Sequence, residues 1–255
     1  MSLRIAIAGK GGTGKSTFSA LLCRSLLAKG IKPLLAVDAD PNSCLPEKLG
    51  VEVEQTIGDL REELRQEPEK KPAGIPKGEW MEGMINRAIT ESTGVDIVVM
   101  GRQEGPDCYC FINNLLRQCL EQIGKQYKAV VIDNEAGLEH LSRRSNGSVE
   151  VLVVVAHPTI TGARTAVRIM ELVNSLHLDI GDCFLVLNES DTQLDADLAI
   201  EFGRTGLDII GSIPTDPLIR DFELKAQSLM TVPAGSKAAM AVDEILQKIL
   251  ERRNA

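Results

Sequence analysis

The sequence predicts an α/β fold: one mostly parallel β-sheet of about seven strands with helices on both faces. Three observations lead there. Apolar runs of strand length alternate with amphipathic segments of helix length, the order that βαβ units produce. The strand runs are near-continuous in Val, Ile, Leu and Ala, as strands covered on both faces require. A glycine-rich stretch, Gly9 to Ser16, lies between the first strand and the first helix, the end of such a sheet where ligands are held.

In chain order, the expected strands are 3–8, 33–37, 96–100, 129–132, 151–155, 183–187 and 208–213. Between them the periodicity predicts helices over 15–29, 81–92, 111–125, 162–176 and 195–202, with a closing helix at 237–252. One stretch breaks the rhythm. Residues 66–79 hold three prolines and two glycines among charged side chains, which predicts an exposed loop or insertion. No internal repeat and no linker divides the chain, so one domain over 1–255 is expected.

Composition narrows the function. Of 255 residues 44% are hydrophobic and 25% charged, and the formal net charge is −8. Ordinary globular composition with an acidic balance argues against nucleic acid or an anionic membrane as partner. No apolar run approaches the length that spans a bilayer, so a cytoplasmic protein is expected. Six cysteines, at 23, 44, 108, 110, 119 and 183, show no disulfide framework. Four stand singly and read as small apolar fillers or incidental thiols.

The first chemistry is in the loop Gly9-Lys10-Gly11-Gly12-Thr13-Gly14-Lys15-Ser16, which has the P-loop spacing after a strand and before a helix. Glycines free the backbone so that successive N–H groups face phosphate oxygens, and the helix N-terminus adds its positive end. Lys15 is expected on the β- and γ-phosphates and the Ser16 hydroxyl on Mg2+. Gly11, Gly12, Thr13, Gly14 and Thr17 complete the expected nucleotide contacts. Farther on, Asp133-Asn134-Glu135-Ala136-Gly137 follows an apolar run. That is the place for an Asp near Mg2+ and a glycine whose N–H senses the γ-phosphate. The chain therefore reads as an ATPase using Mg2+ and releasing ADP.

Lys10 is an additional lysine early in the loop, too near its start to duplicate Lys15. With it, the loop resembles the deviant Walker A loop of the nitrogenase iron protein and cell-division MinD class. The resemblance implies that Lys10 reaches across an ATP-promoted homodimer to the partner's phosphates. It also makes Asp38-Ala39-Asp40-Pro41-Asn42 the first switch. Asp40 would orient or deprotonate the attacking water, and Asp38 would act on Mg2+ through water. Adenine would be held by Asn188 and by Pro214-Thr215-Asp216.

Cys108-Tyr109-Cys110 follows residues 101–107, a loop after the third predicted strand. Thiolates suit soft ions, and two from one chain make half of a four-coordinate site. A two-fold axis through this loop would supply four sulfurs. Lys-Gly-Gly-x-Gly-Lys, Asp-x-Asp-Pro, Cys-Tyr-Cys and Asp-Asn-Glu-Ala-Gly-x-Glu-His-Leu, in that order, resemble the CooC-type nickel-insertion ATPases. That resemblance implies Ni2+ (or Zn2+) bound between two subunits at Cys108 and Cys110. It also implies a client nickel enzyme, either carbon monoxide dehydrogenase or acetyl-CoA synthase. Two rivals are kept. An iron-protein-like reductase would need a second cluster cysteine past the second switch, and none lies between 119 and 183. A MinD/ParA-like positioning ATPase would need no metal. It could place the stripe Val242, Ile245, Leu246, Ile249 and Leu250 of the last helix on a membrane, although such a stripe more often packs on its own domain.

Overall fold

The structure, a computed structural model, describes residues 2–66, 74, 77–101, 126–135, 149–191 and 194–254. The strands are β1 Leu3–Ala8, β2 Leu34–Ala39, β3 Ile89–Thr90, β4 Val95–Val99, β5 Ala129–Asn134, β6 Val149–Ala156, β7 Ile180–Asn188 and β8 Asp208–Ile213. They form one sheet in the order β3-β4-β2-β5-β1-β6-β7-β8. Every pairing is parallel except that of β3 with β4. The helices are α1 Lys15–Ala28, α2 Leu45–Leu49, α3 Ile57–Gln66, α4 Lys77–Ala88, α5 Ile160–Leu176, α6 Ala196–Gly203, α7 Pro217–Leu224 and α8 Lys237–Asn254.

Alternate strand residues face opposite sides of the sheet, and each side has its own core. Ile5, Ile7, Ala36, Val131, Val153 and Val186 pack with α1 and α8. Ala6, Leu35, Val37, Val130, Leu152 and Leu185 pack with α3, α4 and α5. This is the two-sided burial that the unbroken apolar runs predict.

Among the described residues the sheet has eight strands, where about seven are expected. The extra one is β3, and its residues were expected to end a helix over 81–92; the helix is instead Lys77–Ala88. Ile89 and Thr90 are β-branched and fit a pleated edge better than a helix end. Gly94 at φ 114° then turns the chain into β4, with Ser92 Oγ donating to the Val95 carbonyl at 2.7 Å. At the opposite edge, α8 lies along β8. Lys248 Nζ donates to the Ile210 carbonyl at 2.8 Å, and Arg252 pairs with Asp208 at 3.1 Å.

The apolar stripe of α8 is spent inside the molecule. Val242, Ile245, Leu246 and Ile249 are each at most 1% exposed. Gly211 leaves room for Ile245: a Cβ there would lie 2.5 Å from Ile245 Cγ1. Among the described residues, no helix is long and apolar enough to cross a membrane.

Candidate nucleotide-binding site

β1 stops at Ala8 and α1 starts at Lys15, and two glycines shape the turn between them. At Gly9 a Cβ would come within 2.3 Å of the Val155 carbonyl oxygen. Gly14 caps α1 at φ 85°, and a Cβ there would lie 2.3 Å from Asn188 Nδ2. The loop closes on one carbonyl, that of Lys10. It accepts from Thr13 Oγ1 at 2.8 Å, Thr13 N at 3.3 Å and Lys15 Nζ at 3.4 Å. Lys15 is buried; Lys10, Gly11 and Gly12 are exposed. The Lys10 ammonium has no hydrogen bond or ion pair with any described residue.

Beside the loop lies an acidic floor. Asp38 of β2 and Asp133 of β5 are direct register partners on adjacent strands. Asp133 Oδ1 accepts from Ser19 Oγ at 3.2 Å, while its Oδ2 is buried without a partner. Burial pushes the Asp133 pKa up to about 6, against the pull of Ser16, Lys15 and Ser19. An orphaned carboxylate oxygen beside a serine hydroxyl at a P-loop is a hard oxygen set that fits Mg2+. Ser16 and Asp133 would hold that ion.

Asp38 has another task. Its Oδ1 accepts from the Asp40 amide at 3.0 Å and its Oδ2 from the Leu45 amide at 2.9 Å. It therefore fastens the turn that carries Asp40 and starts α2. Burial pushes its pKa up to about 7, opposed by those amides and assisted by Asp133. The folded state thus holds this proton more tightly than the unfolded chain. The stability Asp38 contributes is full below about pH 4 and is lost as pH rises to about 7. In metal-free protein without nucleotide, wild type should lose stability relative to Asp38→Asn by about 1.4 kcal/mol per pH unit across that window. Urea denaturation of both proteins from pH 4.5 to 8 checks this; a constant difference would show that Asp38 titrates as it does in water.

Asp40 is half-buried. Its Oδ1 accepts from Asn42 N at 2.9 Å and Asn42 Nδ2 at 2.8 Å, an Asx turn that leaves Oδ2 uncommitted among the described residues. Thr17, expected on the nucleotide, donates its hydroxyl to Glu223 Oε1 of α7 at 2.7 Å. Lys48 of α2 shares that oxygen. Burial opposes ionisation of Glu223, but Lys48 and Thr17 outweigh it and hold the pKa below the usual range.

The residues expected at the base divide into two groups. Asn188, at the end of β7, donates from Nδ2 to the Thr13 carbonyl at 2.9 Å, so it braces the loop itself. Thr215 donates its amide to Asp191 Oδ1 at 2.9 Å, next to Pro214. Asp216 is turned to helix starts: it accepts from Leu218 N at 2.9 Å, Ser236 Oγ at 2.6 Å and Ala238 N at 3.1 Å. Capping α7 and α8 at once explains an aspartate there without any nucleotide.

Sequence reasoning missed four residues in this region: Lys48, Glu223, Asp191 and His157. His157 follows β6, with Nε2 3.2 Å from the Gly12 carbonyl oxygen and Nδ1 3.6 Å from Glu189 Oε2. A polar residue directly after a strand that neighbours β1 was the available signal. Cys23 is fully buried, its thiol pushed up by desolvation and then by Asp133, as an apolar filler should be. Cys108, Cys110, Gly137 and the helix expected over 111–125 lie outside the described residues. Among the described residues, no group of three His, Cys, Asp or Glu is placed to hold a metal.

Comparison with known proteins agrees with this geometry. The family model described as the CobQ/CobB/MinD/ParA nucleotide binding domain matches residues 5–229. An uncharacterized ATP-binding protein of Methanocaldococcus jannaschii is 41% identical over 251 residues, covering 98% of this chain and 99% of its own. The carbon monoxide dehydrogenase accessory protein CooC of Rhodospirillum rubrum is 29% identical over 229 residues, 86% of each chain. The Pyrococcus furiosus cell division ATPase MinD superposes with a TM-score of 0.70 at 22% identity, covering 99% of this chain and 100% of that one.

Proposed function

The chain belongs to the CobQ/CobB/MinD/ParA family of nucleotide-binding domains and is a P-loop ATPase, and from that premise we propose that it is an ATP-dependent metallochaperone. It binds Ni2+ as cargo between two subunits and couples ATP hydrolysis to nickel insertion into carbon monoxide dehydrogenase or acetyl-CoA synthase. The observation that carries this reading is Cys108-Tyr109-Cys110 in a chain similar to CooC along most of its length.

The residues divide the work. The loop amides from Gly11 to Ser16 receive the β-phosphate, and Lys15 leaves the Lys10 carbonyl for the phosphate oxygens. Asp40, held by its own turn, orients the attacking water and accepts its proton. Ser16 and Asp133 would hold Mg2+, which would supply neutralisation of phosphate charge. Lys10, exposed and unpaired among the described residues, is free to reach the nucleotide of a second copy. Gly137 links loss of the γ-phosphate to the segment that follows it. Two cysteines from each subunit then make metal binding and dimerisation linked equilibria.

Metal titration followed by light scattering tests the reading. One Ni2+ per dimer is expected, with tight binding lost in Cys108→Ser or Cys110→Ser. Lys10→Ala should still bind ATP as a monomer but form no ATP-dependent dimer. One metal per monomer, unaffected by either cysteine change, would end the shared-site model. Protein with no metal at all would favour a positioning ATPase. That rival has lost its membrane-facing stripe, since α8 buries it.

A further inference from the structure

Two successive carbonyls of the phosphate loop are held from outside it, by residues at the ends of β6 and β7. Asn188 Nδ2, at the end of β7, donates to the Thr13 carbonyl at 2.9 Å. His157, directly after β6, places Nε2 3.2 Å from the Gly12 carbonyl oxygen. A carbonyl only accepts, so Nε2 carries the proton in that bond. At the ring's other nitrogen, Glu189 Oε2 lies 3.6 Å from Nδ1. Packing does not hold this crown of the loop: a Cβ built at Gly11 or Gly12 would meet nothing within 4 Å.

Glu189 is the chain neighbour of Asn188. Successive side chains of an extended strand face opposite ways, so a regular strand end would not bring both to one loop. Glu189 instead takes φ 53°, a left-handed conformation that residues with a side chain seldom adopt. The alternation breaks there, and the two neighbours serve adjacent carbonyls, one directly and one through His157. Backbone strain of this kind gathers at functional sites, where the surroundings hold it in place.

What these anchors fix is the direction of amides. In a planar trans peptide the carbonyl and the N–H that follows it point opposite ways. With the Gly12 and Thr13 carbonyls drawn toward His157 and Asn188, the Thr13 and Gly14 amides turn to the other side. The Thr13 amide is already there: it shares the Lys10 carbonyl, at 3.3 Å, with the Lys15 ammonium at 3.4 Å. Both are long bonds to a neutral oxygen, which an anion would displace. We propose that His157, oriented by Glu189, is a positioning residue of the nucleotide site, holding the Gly12 carbonyl so that the Thr13 amide is preset toward the β-phosphate. The inference rests on the reading that the Gly9–Ser16 loop holds nucleotide phosphates.

The test is calorimetric titration of ADP and of a non-hydrolysable ATP analogue, beside steady-state ATP hydrolysis and a thermal melt. Wild type is compared with His157→Ala, His157→Gln, Glu189→Ala and the double alanine variant. ADP and ATP share the β-phosphate, so His157→Ala should weaken both alike, by about three- to tenfold, the worth of one hydrogen bond. The loss should appear in KM rather than kcat. His157→Gln should recover most of it, because an amide N–H can make the same bond. Glu189→Ala should cost about two- to threefold alone and nothing further once His157 is gone, since it acts through that ring. His157→Ala that binds ADP as tightly as wild type would overturn the inference. So would a loss that glutamine does not recover and that follows a fall in Tm, the outcome of a merely structural histidine. A Glu189→Ala loss that persists in full without His157 would overturn the assigned pairing. A wild type that binds neither nucleotide would instead count against the phosphate-loop reading itself.

Discussion

Lys15→Ala should lower ATP turnover by about 10²–10³-fold or more, the loss that follows removal of one preorganised charge from a transition state. It should also weaken nucleotide binding, because the same ammonium neutralises phosphate in the ground state. Lys15 is 7% exposed and stands among buried carboxylates, where it lowers the pKa of Asp133. Without it, the γ-phosphate and Asp133 face each other across a site of low dielectric. Calorimetric ATP titration and steady-state hydrolysis, with a thermal melt to confirm the fold, measure both effects. Turnover within threefold of wild type would remove Lys15 from the phosphate site.

Asp40→Asn should separate chemistry from binding. The amide keeps an Oδ1 that can accept from Asn42, so the turn is preserved. The uncommitted Oδ2 becomes an NH2 group, a donor that cannot take a proton from water. Hydrolysis should fall by about 10²–10⁴-fold, the range for loss of a positioned general base, while ATP affinity stays within about twofold. Single-turnover hydrolysis beside equilibrium binding distinguishes this from Lys15→Ala, which moves both. If Asp40→Asn hydrolyses ATP at the wild-type rate, the water is handled by another group.

The long parallel strands and the phosphate loop were legible because each rests on local signals: apolar runs, and glycines at fixed spacing. The strand ends were not. β2 and β5 run on through Asp38, Asp133 and Asn134, polar residues that look like loop in a sequence. They are ladder members because neighbouring strands continue beside them. Short helices begun with proline, α2 and α7, carry too little periodicity to be seen. Contacts distant in sequence were out of reach altogether. Glu223 meets Thr17 across 206 residues, and no pattern along the chain announces that pairing. Asp216, expected beside the base, has a second task no pattern announced: its carboxylate starts two helices.

The two borders of the sheet bear on how this molecule can associate. An uncovered strand recruits any strand of matching direction, including one from a second copy. Here one border is only two residues long and runs against its neighbours, so it offers no continuation of the parallel ladder. At the other, lysine and arginine from the terminal helix occupy the backbone oxygen of Ile210 and the side chain of Asp208. Among the described residues, both borders therefore disfavour self-assembly by strand addition, which needs no nucleotide and has no natural stopping point. The proposed pairing of copies through Lys10 uses neither border; it lies at the ligand-bearing end of the sheet, where it would depend on what is bound.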